Sequence, residues 1–163
     1  MSESTGKYPR AVACLAAYNS AEFIEKTLEA LAAQDYPNLE ILISDDASTD
    51  HTANLCQRFC ENSRKFRLIR QSNRLGWVNN VNALFAKAQG EYLLIIPHDD
   101  IVHPTYVTKL VKALEMNPHA ILAFSDTKIT FLNGDTPIRR PLIAAYSELD
   151  GVKEKLELSL IHI

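Results

Sequence analysis

Short apolar runs alternate with amphipathic stretches along most of this chain. Arg10-Ala11-Val12-Ala13-Cys14-Leu15-Ala16-Ala17 is small and apolar and predicts a first strand. Leu39-Glu40-Ile41-Leu42-Ile43, Phe66-Arg67-Leu68-Ile69-Arg70, Tyr92-Leu93-Leu94-Ile95-Ile96 and Ala120-Ile121-Leu122-Ala123-Phe124 predict four more. Short apolar runs closed by turn residues are the pattern of a parallel sheet covered on both faces.

Between these runs the spacing turns helical. Phe23, Ile24, Leu28 and Leu31 share one face, and Asn19 or Ser20 is placed to cap that helix, with Glu22 completing a capping box. Asp50 is placed to cap a second helix carrying Ala53, Cys56, Phe59 and Cys60. Val78, Val81, Leu84, Phe85 and Ala88 predict a third, ended by Gly90. Pro104 opens a fourth, with Val107, Leu110, Val111 and Leu114 facing inward, and Asn117-Pro118 stops it. Alternating strands and helices predict a three-layer α/β/α, Rossmann-like domain with a mostly parallel sheet. The alternation ends near residue 131. A loop at Asn133-Gly134-Asp135-Thr136-Pro137 follows, then a short helix over Val152–Leu160 and a tail that continues no pattern. The expected organisation is a disordered lead over residues 1–8, a domain over 9–131 and an irregular tail over 132–163.

Composition narrows the classes. The chain has 163 residues, 47% hydrophobic and 23% charged, with a net charge of −3. That length holds one domain with a proper core. No basic tract stands out, so nucleic acid is not an expected partner. No apolar stretch approaches the roughly 20 residues that span a membrane. The three cysteines, Cys14, Cys56 and Cys60, show neither disulfide nor zinc-ligand spacing and read as buried thiols. The expected location is the cytoplasm, extending to the inner face of the membrane. Dinucleotide-binding, P-loop and nucleophile-elbow motifs are absent from the sequence.

The candidate chemistry lies where the apolar runs end. Ser44-Asp45-Asp46-Ala47-Ser48-Thr49-Asp50 follows the second strand, and Pro97-His98-Asp99-Asp100 follows the fourth. In open α/β sheets ligands bind outside the carboxyl ends of the strands. Carboxylates gathered there repel one another, and a divalent cation with an anionic substrate compensates them. Mg²⁺ or Mn²⁺ suits Asp99-Asp100, since both bind between few carboxylates and substrate phosphates. A carboxylate of Asp45-Asp46 can accept the imide N–H of uracil or thymine, or the N1–H of guanine. After the first strand, Ala16 and Ala17 let a ligand approach the backbone, and Tyr18-Asn19 offers a ring for stacking. Asn73-x-x-Gly76 with Asn79, Asn80 and Asn82 fits either phosphate and sugar binding or an ordinary polar helix face. A receiver-type phosphoryl-transfer domain would need a lysine closing a later strand, and Lys128 fits that place poorly.

These motifs, in this order, resemble the nucleotide-binding part of the family 2 glycosyltransferases, which have the GT-A fold. The resemblance runs from about Arg10 to Phe131. It rests on Ala17-Tyr18-Asn19, Asp45-Asp46-x-Ser48-Thr49-Asp50, Asn82 through Gly90-Glu91-Tyr92, and His98-Asp99-Asp100. It implies a UDP-, dTDP- or GDP-sugar donor and inverting transfer to the hydroxyl of a saccharide or lipid-linked acceptor, as in cell-envelope polysaccharide synthesis. It implies that Asp46 reads the base and that Asp100, with Asp99, holds Mn²⁺ or Mg²⁺. It assigns Ala16, Tyr18, Asn19, Asp45, Asp46, Ser48, Gly76, Asn82, His98 and Asp99 to the donor. Two positions depart from the family pattern. Ala16-Ala17 stands where relatives often carry a hydroxyl or Pro-Thr, and Pro97 stands where many carry another aspartate. The family's acceptor side and general base lie further along the chain. Residues 132–163 offer only Asp135, Glu148, Asp150, Glu154 and Glu157, in no matching context, so no base is nominated. The expectation is a C-terminally incomplete GT-A domain. The alternative is a non-catalytic nucleotide-sugar-binding fragment, and its exposed sheet edge predicts self-association.

Overall fold

The computed structural model describes residues 8–129, 138–140 and 160–162. The expected lead over 1–7, the loop over 133–137, the helix over 152–159 and the acidic residues of the tail lie outside the described residues. Residues 1–107 and 108–163 form two compact units.

In the first unit, β1 (Ala11–Ala17), β2 (Leu39–Asp45), β3 (Phe66–Arg70) and β4 (Tyr92–Ile95) form one parallel sheet, ordered β3-β2-β1-β4. Parallel neighbours require crossovers, supplied by α1 (Ile24–Ala32), α2 (Thr52–Asn62) and α3 (Trp77–Lys87). β1 lies between two strands and is buried along most of its length, which suits its small residues. Its alternation puts Val12 and Cys14 on one face, where they pack with Leu42 of β2 and Leu84 of α3. Ala13, Leu15, Ile41 and Ile43, all buried, point to the other face. There Phe59 of α2 meets Phe66 of β3 with ring centroids 5.4 Å apart, and α1 packs against α2. The three layers expected from the sequence are therefore present. Truncating a fully buried side chain such as Leu42 to alanine removes about 2–5 kcal/mol.

Several local expectations are corrected. α1 carries no side-chain cap: the Ser20 carbonyl accepts the N–H groups of Phe23 and Ile24. Asn19, at φ 45°, turns away to the neighbouring loop, so the capping box does not form, and Phe23 is exposed. β2 runs two residues past the predicted Ile43, which places Ser44 and Asp45 inside the strand. On α3 it is Asn80, Val81 and Leu84 that face inward, while Val78 and Phe85 are exposed. Gly90 serves close approach: a Cβ there would lie 2.8 Å from Val12 Cγ2 and 2.9 Å from the Arg10 carbonyl. Among the described residues β4 is one of the two end strands of this sheet, and its Leu93 and Ile95 are exposed where a doubly covered strand was expected.

The chain after β4 is fastened to the end of α1. The Thr27 hydroxyl donates to the His98 carbonyl at 2.9 Å, and Gln34 Nε2 donates to the His103 carbonyl at 2.8 Å. Gln34 Oε1 accepts the Val107 N–H at 3.1 Å. The second unit holds most of α4 (Tyr106–Met116), which begins two residues after Pro104. It also holds β5 (Leu122–Phe124), β6 (Thr127–Ile129), β7 (Ile138–Arg140) and β8 (Leu160–His162). β5 pairs with β8 in parallel and β6 with β7 antiparallel. Leu160-Ile161-His162, which shows no pattern in the sequence, is thus a strand.

Candidate functional site

Parallel register gathers the predicted motifs at one edge of the sheet. Ala17 pairs with Asp45, the Asp46 N–H donates to the Ala17 carbonyl at 2.9 Å, and the Ile96 N–H donates to the Cys14 carbonyl at 3.0 Å. The carboxyl ends of β2, β1 and β4 therefore carry Asp45-Asp46, Ala16 through Asn19, and His98-Asp99-Asp100 side by side.

Two adjacent loops are sewn together there. Asn19 Oδ1 accepts the Thr49 N–H at 2.9 Å, and its own N–H donates to the Ser48 hydroxyl at 3.0 Å. Asp50 accepts the N–H groups of Ala21 at 3.1 Å and of Thr52 at 2.9 Å. The N-cap position of α2 falls to His51 rather than the expected Asp50; one Asp50 oxygen bonds the first N–H of α2 from one residue earlier, and the other holds the loop after β1. Burial alone would raise its pKa, but bonds from Thr52 and Ala21 outweigh it and hold the carboxyl below its ordinary range. Asn19 and Ser48, both predicted donor-site residues, help to hold this seam.

Asp45 and Asp46 are each only 2% exposed. Asp45 Oδ2 accepts the Ser48 N–H at 3.3 Å, and its Oδ1 is buried with no protein partner. Asp46 reaches across to the loop before α3, where Oδ1 accepts the Leu75 N–H at 2.6 Å and Oδ2 the Gly76 N–H at 2.9 Å. Gly76 has φ 79° and ψ 161°, a conformation essentially closed to other residues. The same loop lays Arg74 over the Tyr18 ring, 4.1 Å from its centroid. Arg74 was not singled out in the sequence, where a lone arginine in a polar loop gives no signal. Asn82 is exposed on α3, and Asn80 takes the inward position.

His98, Asp99 and Asp100 form a turn in which the Asp100 N–H donates to the Pro97 carbonyl at 3.4 Å. Both aspartates are exposed. Desolvation first, then the charge of Asp99, raise the Asp100 pKa, while His98 pulls it down. Among the described residues no three His, Cys, Asp or Glu side chains converge into a protein-only metal site. Two neighbouring carboxylates without further ligands match a cation that completes its shell with substrate phosphates and water.

The fold is a parallel α/β domain with two buried carboxylates at the end of β2 and an exposed aspartate pair after β4, on either side of β1. The sequence model of glycosyl transferase family 2 matches residues 13–156, and the chain belongs to that family. It is 31% identical over 103 residues to an uncharacterized glycosyltransferase of Haemophilus influenzae, covering 63% of this chain and 32% of that protein. Among solved structures it is similar to the mannosyltransferase PcManGT of Pyrobaculum calidifontis in complex with GDP-Man and Mn²⁺. The TM-score is 0.64 at 29% identity, covering 71% of this chain and 35% of that one. TarS 1–349 of S. aureus in complex with UDP-GlcNAc gives a TM-score of 0.68 at 22% identity, covering 78% and 36%, and shows the shared GT-A fold. The chain spans about a third of the length of the curated relatives it matches.

Proposed function

We propose that this domain binds a nucleotide-diphosphate sugar and takes part in transferring its sugar, with inversion, to an acceptor hydroxyl. The observation that carries the reading is the shared strand edge: Asp45-Asp46, Tyr18 under Arg74, and Asp99-Asp100 end three adjacent parallel strands. Tyr18 supplies an aromatic surface for the base. Each oxygen of Asp46 keeps a second lone pair beyond its bond to the loop and can accept a base N–H. Arg74 and the small side chain of Ala16 suit the approach of the phosphates. Asp100 and Asp99 would hold Mn²⁺ or Mg²⁺, which when bound neutralises charge developing on the departing diphosphate. His98, beside them, would donate to a phosphate oxygen.

PcManGT is described with GDP-Man and TarS with UDP-GlcNAc, so guanine and uracil donors are the first to try, and dTDP the third. A saccharide or lipid-linked acceptor at the cytoplasmic face completes the reading. Free cysteines suit that reducing compartment, and among the described residues no helix is long and apolar enough to cross a membrane.

The test is calorimetric titration of the chain with UDP, GDP and dTDP, each with Mn²⁺ and with EDTA. Metal-dependent binding of one nucleotide, lost in Asp100→Ala, is the expected result. Equal binding with EDTA would remove the metal from the reading. No binding by folded protein would remove the donor site.

A further inference from the structure

Ser44 and Asn80 are fully buried polar residues that bond to each other between β2 and α3. Ser44 is 0% and Asn80 2% exposed. The Ser44 hydroxyl donates to Asn80 Oδ1 at 2.5 Å, and Asn80 Nδ2 donates back to the Ser44 carbonyl at 3.0 Å. Gln71 Nε2 donates to the same hydroxyl at 3.0 Å, and the Gln71 backbone N–H donates to the Asp45 carbonyl at 2.9 Å. One residue past the end of β2, Asp46 holds Leu75 and Gly76. Ser44 and Asp45 at the end of β2, with Asp46 just beyond it, thus grip both ends of the loop over residues 71–76, and Asn80 fixes the first turn of α3 to the same strand. Arg74 is carried between the two grips.

An apolar contact at Ser44 and Asn80 would leave α3 free to rotate or slide by a fraction of a turn. A closed, fully satisfied pair of hydrogen bonds permits one register. We infer that Asn80, through Ser44 and Gln71, is a positioning residue for the donor site. It sets the rotation of α3 and the height of its N-terminal loop, so that Arg74 comes to rest over Tyr18. The inference rests on the donor reading above for its functional half. Its structural half, the fixing of the loop, stands apart from that reading and has its own readout. Trp77, the single tryptophan of the chain, is the first residue of α3 and 69% exposed. Its fluorescence anisotropy reports the mobility of that turn.

Two variants of the full chain separate positioning from stability. Asn80→Ala removes both bonds to Ser44. The double variant Ser44→Ala with Asn80→Leu replaces the polar pair by an apolar one, a change that can be close to neutral for folding. In Asn80→Ala, Trp77 anisotropy is expected to fall. Affinity for UDP or GDP with Mn²⁺ is expected to drop roughly tenfold, as for loss of other outer supporting groups. The double variant is expected to recover the thermal midpoint while anisotropy and affinity stay low. Recovery of all three in the double variant would overturn the inference, because the pair would then act on stability alone. So would an Asn80→Ala protein with unchanged anisotropy and affinity. If Asn80→Ala fails to fold, the double variant against wild type carries the same comparison. If wild type binds no nucleotide, the donor reading fails by itself. Trp77 anisotropy then decides the structural half, and an unchanged value overturns it.

Discussion

Asp46 holds two backbone N–H groups with one carboxylate, Leu75 at 2.6 Å and Gly76 at 2.9 Å, in a nearly water-free setting. Replacing it by asparagine keeps the shape but turns one oxygen into an N–H₂ that opposes one of those donors. Asp46→Asn is expected to lose about 1–3 kcal/mol, the cost of stranding a buried polar group, read from its denaturant midpoint. Gly76 makes the complementary case. A Cβ there meets nothing within 4 Å, so Gly76→Ala brings no clash, only the strain of φ 79° with ψ 161°. The expected loss is about 1–3 kcal/mol. A Gly76→Ala protein as stable as wild type would mean that the loop relaxes to another conformation, and calorimetry with nucleotide would then show what that costs the site. The residue types at this edge were legible in the sequence, because carboxylates closing buried strands have few ordinary explanations. Their partners were not. The bonds of Asp46 span 29 and 30 residues and that of Ser44 to Asn80 spans 36, and only the fold makes such pairs neighbours.

Among the elements, β1 and the middle of β2 were plain from apolar runs, since a doubly covered strand leaves no polar position, while β3, at the end of the sheet order, showed as a shorter run with Arg67 and Arg70 in it. α3 was legible as a helix but not in its rotation. Val78 and Phe85 continue the apolar spacing of Val81 and Leu84, yet Asn80 takes the buried place because β2 offers a hydroxyl and a carbonyl to meet it. α1 misled for a related reason: Asn19 found a partner in the next loop and left the helix start to a backbone carbonyl. Glu40 is another cross-element tie. It accepts from Arg10 at 2.6 Å and from Arg67 at 2.8 Å, joining the start of β1 to β2 and β3, and Arg67 also donates to the Lys87 carbonyl at the end of α3. Burial alone would raise the Glu40 pKa, but the bonds and charges of Arg10 and Arg67 outweigh it and lower the pKa. A carboxyl with a depressed folded pKa contributes stability above its unfolded value, and that contribution is lost as pH falls through the folded value. Glu40→Gln is therefore expected to be less stable than wild type at pH 7, by about 1 kcal/mol for a partly exposed charged pair. The gap should close once the pH is well below the ordinary glutamate range. A gap that persists in acid would assign the loss to packing rather than charge.

The whole first unit can be followed through its thiols. Cys14 lies in the middle of the sheet, and burial first, then Glu40, push its pKa up to about 11. Cys56 is on the buried face of α2, and burial first, then Asp45, push its thiol up to about 12. At pH 8 a thiol of that kind is thiolate in about one molecule per thousand or fewer, and it is sterically closed as well. Cys60 is half-buried, and its pKa is also raised, with burial the leading cause. In the native protein a disulfide reagent is expected to modify Cys60 first, with Cys14 and Cys56 reacting only as fast as the sheet opens. Cys14 is inside β1, whose end carries part of the proposed donor site, so opening that exposes Cys14 dismantles the site. A nucleotide that binds only the closed form must then slow that reaction by the factor one plus its concentration over its Kd, about a hundredfold at a hundred times Kd. The measurement is the labelling rate of Cys14 with UDP or GDP and Mn²⁺, resolved from the other thiols by mass. Slowing by that factor would show that the site and the core open together. Binding by calorimetry without any slowing would mean that Cys14 becomes accessible through a local opening that leaves the site standing.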